Sequence, residues 1–202
     1  MNKSKSAGLI LAGGQGTRMG GKDKGLVEIG GESFTARLTT TFQAISLPVF
    51  ISCNRNQDYY RQFTSRLISD TSYPNQGPLA GIYNTLEKLD LSQHQHLLIA
   101  PVDAPFLSEV VFTQLLESHL NHHRDIDITI AHDGNRLQPL VCCLNSHLKE
   151  SLGEFLAAGG RKTQKWMMAQ KHQIIDFDVQ DKSFKNINDA NELSKLSEPG
   201  HD

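Results

Sequence analysis

The run Leu11-Ala12-Gly13-Gly14-Gln15-Gly16-Thr17-Arg18-Met19-Gly20-Gly21-Lys22-Asp23-Lys24-Gly25 decides how this chain is read. It continues a short apolar segment at 8–12, and nine of the 16 glycines fall between Gly8 and Gly31. A glycine-rich turn after a buried strand lets backbone N–H groups converge on phosphate oxygens, because no Cβ blocks the approach. Arg18, Lys22 and Lys24 place positive charge where a polyphosphate needs it. The competing reading is a flexible, solubilising surface loop. Such glycine density directly behind an apolar strand argues against it. Two familiar phosphate loops fail on the letters. Gly16-x4-Gly21-Lys22 matches the P-loop as far as Asp23, where a Ser or Thr hydroxyl is required and a carboxylate would sit beside the phosphates. The dinucleotide fingerprint needs a third glycine where Met19 stands.

On either side of this loop the chain alternates apolar runs with amphipathic segments. Strands are expected over 8–12, 49–53, 66–69, 96–102, 126–132, 140–144 and 173–177. Most are continuously apolar, as strands covered by helices on both faces should be. Ser33 is placed to cap a helix to about residue 43, a second helix spans 77–86, and Ser108 caps one over 109–119 with Glu109 in its first turn. The segment 147–158 ends at Gly159-Gly160, and Asp189 can cap a last helix over 190–196. The pattern predicts an α/β fold, a three-layer sandwich around a mostly parallel sheet. Ligands bind beyond the carboxyl ends of the strands in such sheets. One domain is expected over 1–196, followed by a frayed tail at 197–202.

Composition narrows the function. With 202 residues, 38% hydrophobic and 21% charged, the chain is an ordinary globular one. A net charge of −2 argues against general nucleic-acid binding, and no apolar run reaches the roughly 20 residues of a membrane span. The polar, glycine-rich stretch behind the short apolar run at 7–12 does not read as a signal peptide. Three cysteines, Cys53, Cys142 and Cys143, are too few for a disulfide framework and suit a cytoplasmic protein. Cys142 and Cys143 alternate to opposite faces of a strand and cannot readily share a metal.

Several residues stand where ligands bind. Asp103 follows the apolar strand and is stiffened by Pro101 and Pro105. It can hold Mg2+ or merely cap the next helix, for which Ser108 is better placed. Asn54 and Asp70 end successive strands with groups suited to a purine edge or a ribose, though each alone reads as a turn residue. In Gly77-Pro78-Leu79-Ala80-Gly81 the glycines serve either close approach to a ligand or helix packing. His119, His122 and His123 have helical metal spacing, but a solvated helix end is the better reading. Arg161 with Lys162 are candidates for an anionic second substrate.

The order Leu-Ala-Gly-Gly-x-x-x-Arg-Met-Gly-Gly-x-Asp-Lys-Gly-Leu from Leu11 closely resembles the molybdenum cofactor guanylyltransferases, a branch of the nucleotidyltransferase superfamily. The likeness continues through Cys53-Asn54-Arg55, Asp70, Gly77-Pro78-Leu79-Ala80-Gly81, Pro101-Val102-Asp103-Ala104-Pro105-Phe106-Leu107, Gln138-Pro139-Leu140 and Asn186-Ile187-Asn188. It implies a Rossmann-like nucleotidyltransferase fold. It also implies transfer of GMP from GTP to the terminal phosphate of molybdenum-loaded molybdopterin, releasing pyrophosphate. The resemblance assigns guanine-nucleotide contacts to Leu11, Ala12, Gly13, Asn54 and Asp70, phosphate contacts to Lys24, and Mg2+ to Asp103. Fixed positive charge would come from Arg18 and Lys24, and Arg136 with Gln138 would be candidates for contact with the pterin. A cytoplasmic monomer is expected, with transient contacts to other cofactor-biosynthesis proteins and apo-molybdoenzymes. The chain departs from the family where Asp189-Ala190 replaces a frequent Thr-Pro, leaving open any second metal or substrate contact from Asn188. Val102 stands where relatives often carry Cys. The competing functions are a related enzyme that uses CTP or another phosphate acceptor, and a non-catalytic carrier of the finished cofactor.

Overall fold

All seven apolar runs form strands of one sheet. The computed structural model describes residues 3–14, 23–90, 92–178, 182–187 and 192. Arg18, Asn188, Asp189, most of the expected last helix and the tail therefore lie outside the described residues. In chain order the elements are β1 (Ser6–Leu11), β2 (Glu28–Ile29), β3 (Glu32–Ser33), α1 (Phe34–Ala44), β4 (Val49–Ser52), α2 (Gln57–Tyr60), β5 (Leu67–Ile68) and α3 (Pro78–Lys88). They continue with β6 (His96–Pro101), α4 (Glu109–His122), β7 (Ile128–His132), β8 (Leu137–Asn145), α5 (Lys149–Ala157), α6 (Thr163–Met168) and β9 (His172–Asp176). The sheet order is β5-β4-β1-β6-β8-β7-β9, and only β8 runs against its neighbours.

Helices cover both faces, which is why the strand sequences are apolar throughout. Ala7, Leu9 and Leu11 of β1 pack toward α3, α5 and α6, while Ile10 packs toward α1 and α4. Phe42 of α1 stacks on Phe112 of α4 with ring centroids 4.4 Å apart. Gly8 makes room for this pair, since a Cβ there would lie 2.5 Å from the Phe42 ring. Ser33 and Ser108 cap α1 and α4 as expected, accepting from Ala36 N and Val111 N. Cys142 and Cys143 do face opposite cores, and all three cysteines are buried free thiols. Among the described residues no helix is long and apolar enough to cross a membrane.

Two features near the sheet's carboxyl end were not expected. The β2–β3 hairpin turns at Gly30 and Gly31, whose φ angles of 62° and 79° are those a two-residue hairpin demands. In β8 the register with β7 jumps from Ile130↔Cys142 to Ala131↔Gln138. The strand therefore starts three residues earlier than the apolar run suggested. Pro139, which has no N–H to pair, sits in the bulge.

His119 corrects the reading of a solvated helix end: it is fully buried, at the opposite end of the sheet from the glycine loop. Its Nε2 and His96 Nδ1 lie 3.0 and 2.9 Å from Asn145 Oδ1, and its Nδ1 lies 3.1 Å from Thr129 Oγ1. Gln173 donates to that Thr129 oxygen, so the hydroxyl proton is free to point at His119. The network is satisfied by a neutral imidazole. Burial, only partly offset by Asn145, pushes His119 down to about 4 and lowers His96 as well. These two groups then bind protons more tightly when unfolded, so their contribution to stability is intact above pH 6.5 and falls away as pH drops toward 4. Between pH 7.5 and pH 5 His119 alone should remove about 2 kcal/mol of unfolding free energy, measurable by urea denaturation at the two pH values. A flat profile over that range would contradict the neutral, buried network.

Candidate functional site

The parallel register aligns the carboxyl ends of three neighbouring strands, with Leu11 opposite both Ser52 of β4 and Pro101 of β6. The chain leaves β1 toward β4 and β5, then returns to place β6 on the other side. The crevice above β1 and β6 is thus the switch point where open α/β sheets bind ligands. A cleft of about 560 Å³ opens there, within the usual range for small-molecule sites. Leu11, Ala12, Gly13 and Gly14 form its floor. Neither glycine has a positive φ. Among the described residues, a Cβ on Gly13 would make only ordinary contact, 3.5 Å from Asn54 Nδ2, and one on Gly14 would meet nothing within 4 Å. Packing among the described residues does not itself require bare backbone at these two positions, and bare backbone suits close approach of a ligand.

On the β4–β5 side Asn54 and Asp70 are paired. Asn54 Nδ2 donates to Asp70 Oδ2 at 2.8 Å, and Asp70 N donates to Asn54 Oδ1 at 2.9 Å. Asp70 Oδ1 is buried with no hydrogen-bond partner among the described residues. Burial raises the Asp70 pKa, against the lowering effect of the Asn54 hydrogen bond. A poorly solvated acceptor with an unused lone pair suits a donor from a bound ligand. On the β6 side Lys24 Nζ lies 3.2 Å from Asp103 Oδ2, and both side chains are partly exposed to the cleft. Asp103 is fixed through its backbone as well, its carbonyl accepting from Ile187 N at 2.8 Å. That bond gives the Asn186-Ile187 segment a structural role.

The sequence signal behind Lys24 is richer than expected. Asp23, which excluded the P-loop, turns away from the cleft and is only 7% exposed. Its carboxylate accepts from Tyr60 Oη at 2.7 Å, Asn56 Nδ2 at 2.9 Å and Gly25 N at 3.1 Å, with Arg55 Nε 3.6 Å away. Arg55 Nη2 also donates to Gly14 O at 3.3 Å. Burial and the neighbouring carboxylate push the Tyr60 hydroxyl far above its ordinary range, so it stays a donor. Burial first, then Asp23, pushes the Cys53 thiol up to about 11. Gly25 is required by packing here, because a Cβ would lie 2.2 Å from Tyr60 Oη. Asn56 and Tyr60 were missed because α2 is only four residues long and starts from Asn56 in the left-handed region, at φ 52°.

The packing role of the second glycine pair holds, and both glycines also stand at the cleft. Gly77, at φ 76°, makes the turn into α3, and Gly77, Pro78 and Gly81 line the cleft. A Cβ on Gly81 would come within 2.6 Å of Ser52 Oγ, so α3 also packs closely on β4. The first-turn N–H groups of α3 bring the positive end of the helix dipole to the same wall. Other candidates lie elsewhere. Gln138 is held by the Asp133 carboxylate, and Arg136 is largely exposed beside it, although Leu140 in the bulge reaches the cleft. Arg161 donates to the Leu156 and Gly160 carbonyls at the end of α5, away from the cleft.

Comparison with known proteins follows the same line. The model of the MobA-like NTP transferase domain matches residues 8–174. The chain is 36% identical over 192 residues, 94% of each chain, to the molybdenum cofactor guanylyltransferase of Shewanella amazonensis. Among solved structures it is similar to molybdopterin-guanine dinucleotide biosynthesis protein A from Archaeoglobus fulgidus. There the TM-score is 0.74 at 19% identity, covering 95% of this chain and 96% of the other. A 4-diphosphocytidyl-2C-methyl-D-erythritol synthase from Anaerococcus prevotii has the same fold, with a TM-score of 0.75 at 14% identity and 97% and 96% coverage.

Proposed function

The chain belongs to the MobA-like NTP transferase family, and from that premise we propose that it is a molybdenum cofactor guanylyltransferase. It transfers GMP from GTP to the terminal phosphate of molybdenum-loaded molybdopterin and releases pyrophosphate. The observation that carries the site assignment is the placement of two unlike pairs in one cleft: Asn54 with Asp70 above β4 and β5, and Lys24 with Asp103 beside β1 and β6. From β5 to β6 is three strand spacings, about 14 Å, enough to separate a nucleoside from its phosphates. A GTP laid across the strand ends puts its base or ribose donors on Asp70 Oδ1 and its phosphates over Gly13 and Gly14, next to Lys24 and the start of α3.

The acceptor phosphate is already an anion, so no protein nucleophile is needed. The chain's task is to hold two polyanions in line and balance the charge that develops on the α-phosphoryl and pyrophosphate oxygens. Lys24 supplies fixed positive charge, joined by Arg18. Mg2+ suits the donor set: among the described residues no three His, Cys, Asp or Glu side chains gather, but Asp103 offers one hard oxygen ligand beside the phosphates. When bound, Mg2+ supplies Lewis-acid polarisation of the phosphoryl oxygens. Lys24 meanwhile holds the Asp103 carboxylate in place.

The fold does not by itself choose the base, since a cytidyl-compound synthase shares it. The test is pyrophosphate release with Mg2+ and purified molybdenum-loaded molybdopterin, with GTP and CTP in parallel. Release is expected with GTP and not with CTP, and GTP but not CTP should raise the thermal midpoint. Release with CTP alone would transfer the protein to the cytidylyl branch. No release with either, given verified acceptor and folded protein, would favour a cofactor carrier or another phosphate acceptor.

A further inference from the structure

Asn84 is completely buried in the middle of α3, where an Asn is a poor helix former because its side chain competes for backbone hydrogen bonds. Every part of its amide is used, and all but one of its hydrogen bonds go to the segment at Thr71 and Ser72. Oδ1 accepts from Thr71 N at 3.2 Å, Thr71 Oγ1 at 3.0 Å and Ser72 N at 2.9 Å. Nδ2 donates to Ser72 O at 2.7 Å and back to Ala80 O of its own helix at 2.8 Å. The segment gripped in this way follows Asp70 directly and forms a wall of the cleft through Asn75 and Gly77. It is a segment that needs gripping. Tyr73, Asn75 and Gly77 have φ angles of 58°, 60° and 76°, and the first two lack glycine's freedom in that region. A second tether comes from Tyr73, whose Oη donates to Gly153 O and whose ring packs edge-on against Tyr83. Asn84 itself does not line the cleft.

We infer that Asn84 is a positioning residue for nucleotide affinity: it holds residues 71–77 in the bound shape before the nucleotide arrives, and so fixes Asp70 on the side opposite Asn54. This rests on the guanylyltransferase reading of the cleft. Without Asn84 the segment must be ordered at each binding event, and that cost appears in affinity. Lys24 and Asp103 sit on the other side of the cleft and are untouched, so turnover at saturating GTP is preserved.

The decisive experiment compares wild type, Asn84→Ala and the isosteric Asn84→Asp, which keeps the acceptor for Thr71 and Ser72 but loses both donors. GTP affinity is measured by calorimetry, KM and kcat by pyrophosphate release, and amide exchange is followed at Thr71 and Ser72. Asn84→Ala is expected to raise Kd and KM for GTP about tenfold, leave kcat within twofold, and speed exchange at both amides. Asn84→Asp sets a carboxylate oxygen against the Ser72 and Ala80 carbonyls, so its effects on Kd, KM and exchange should equal or exceed those of Asn84→Ala. Faster exchange with unchanged GTP affinity would overturn the inference, as would a fall in kcat at constant KM. If Asn84→Ala does not fold, Thr71→Val, which removes only the hydroxyl bond to Asn84 Oδ1, decides by the same readouts. Wild-type protein that binds no GTP would overturn the guanylyl reading itself, a result obtained before either variant is compared.

Discussion

Replacing Asp103 with Ala should lower GTP-dependent pyrophosphate release by about 10²–10³-fold while leaving the protein folded. The two halves of that expectation come from different observations. Asp103 presents a partly exposed carboxylate at the switch point of the sheet, next to the floor at Gly13 and Gly14. On the proposed reading its oxygen is a hard ligand for Mg2+ beside the phosphates, and charge held there would act where charge develops in the reaction. Its structural work is done by the backbone carbonyl that accepts from Ile187 N, which the substitution keeps. The side chain's bond to Lys24 is a half-exposed ion pair, worth no more than about 1 kcal/mol. The thermal midpoint should therefore move by no more than about 4 °C. Asp103→Asn preserves the shape and removes the charge, so it should be nearly as slow as Asp103→Ala and need far more Mg2+ for half-maximal rate. Near-normal turnover in either variant, or loss of rate accompanied by loss of fold, would show that the metal assignment is misplaced.

The sheet was legible because burial on both faces leaves a simple mark, a continuous apolar run, and none of the seven runs misled. Boundaries failed where a residue defies its element. Pro139 made the start of β8 look like a turn, yet the bulge lets a proline stand in an interior strand. The candidate cleft was legible wherever a residue follows a strand: Gly13, Asn54, Asp70 and Asp103 all do, and β/α topology sends such residues to one end of the sheet. Residues that act through others left no comparable trace. Asn84 is a polar letter inside an amphipathic helix, and Asn56 and Tyr60 belong to a single turn too short for periodicity to reveal. His119 was misread for a related reason. A histidine near the end of a helix with His122, Asn121 and Arg124 around it looks wet, and only the strands packed beneath it make it dry.

Asp23 combines both kinds of error, and Asp23→Ala is the second large effect to expect. As a letter it disqualified the P-loop, on the ground that a carboxylate there would face the phosphates. The structure turns it inward instead. Tyr60 Oη, Asn56 Nδ2 and Gly25 N all donate to it, and Arg55 lies beside it while reaching back to Gly14 O. One buried anion thus joins the glycine floor, the Lys24 turn and α2. Removing it leaves the buried Tyr60 hydroxyl and Gly25 N–H without their acceptor, and hydrogen bonds to a buried charge are worth about 1.5–3 kcal/mol each, so the loss should reach about 3 kcal/mol or more. For a chain of this size that is a fall of about 6–12 °C in the thermal midpoint. Turnover measured below the new midpoint should drop at least about tenfold, because Lys24 is the residue next to the one removed and its turn loses the cap on Gly25 N. Tyr60→Phe supplies the calibration. It deletes one of the donors and keeps the anion, so it should cost about 1 kcal/mol and leave turnover within a few-fold of wild type. If Asp23→Ala lost stability but kept full turnover at low temperature, the lock would be structural only, and Lys24 would be held by its own bond to Asp103.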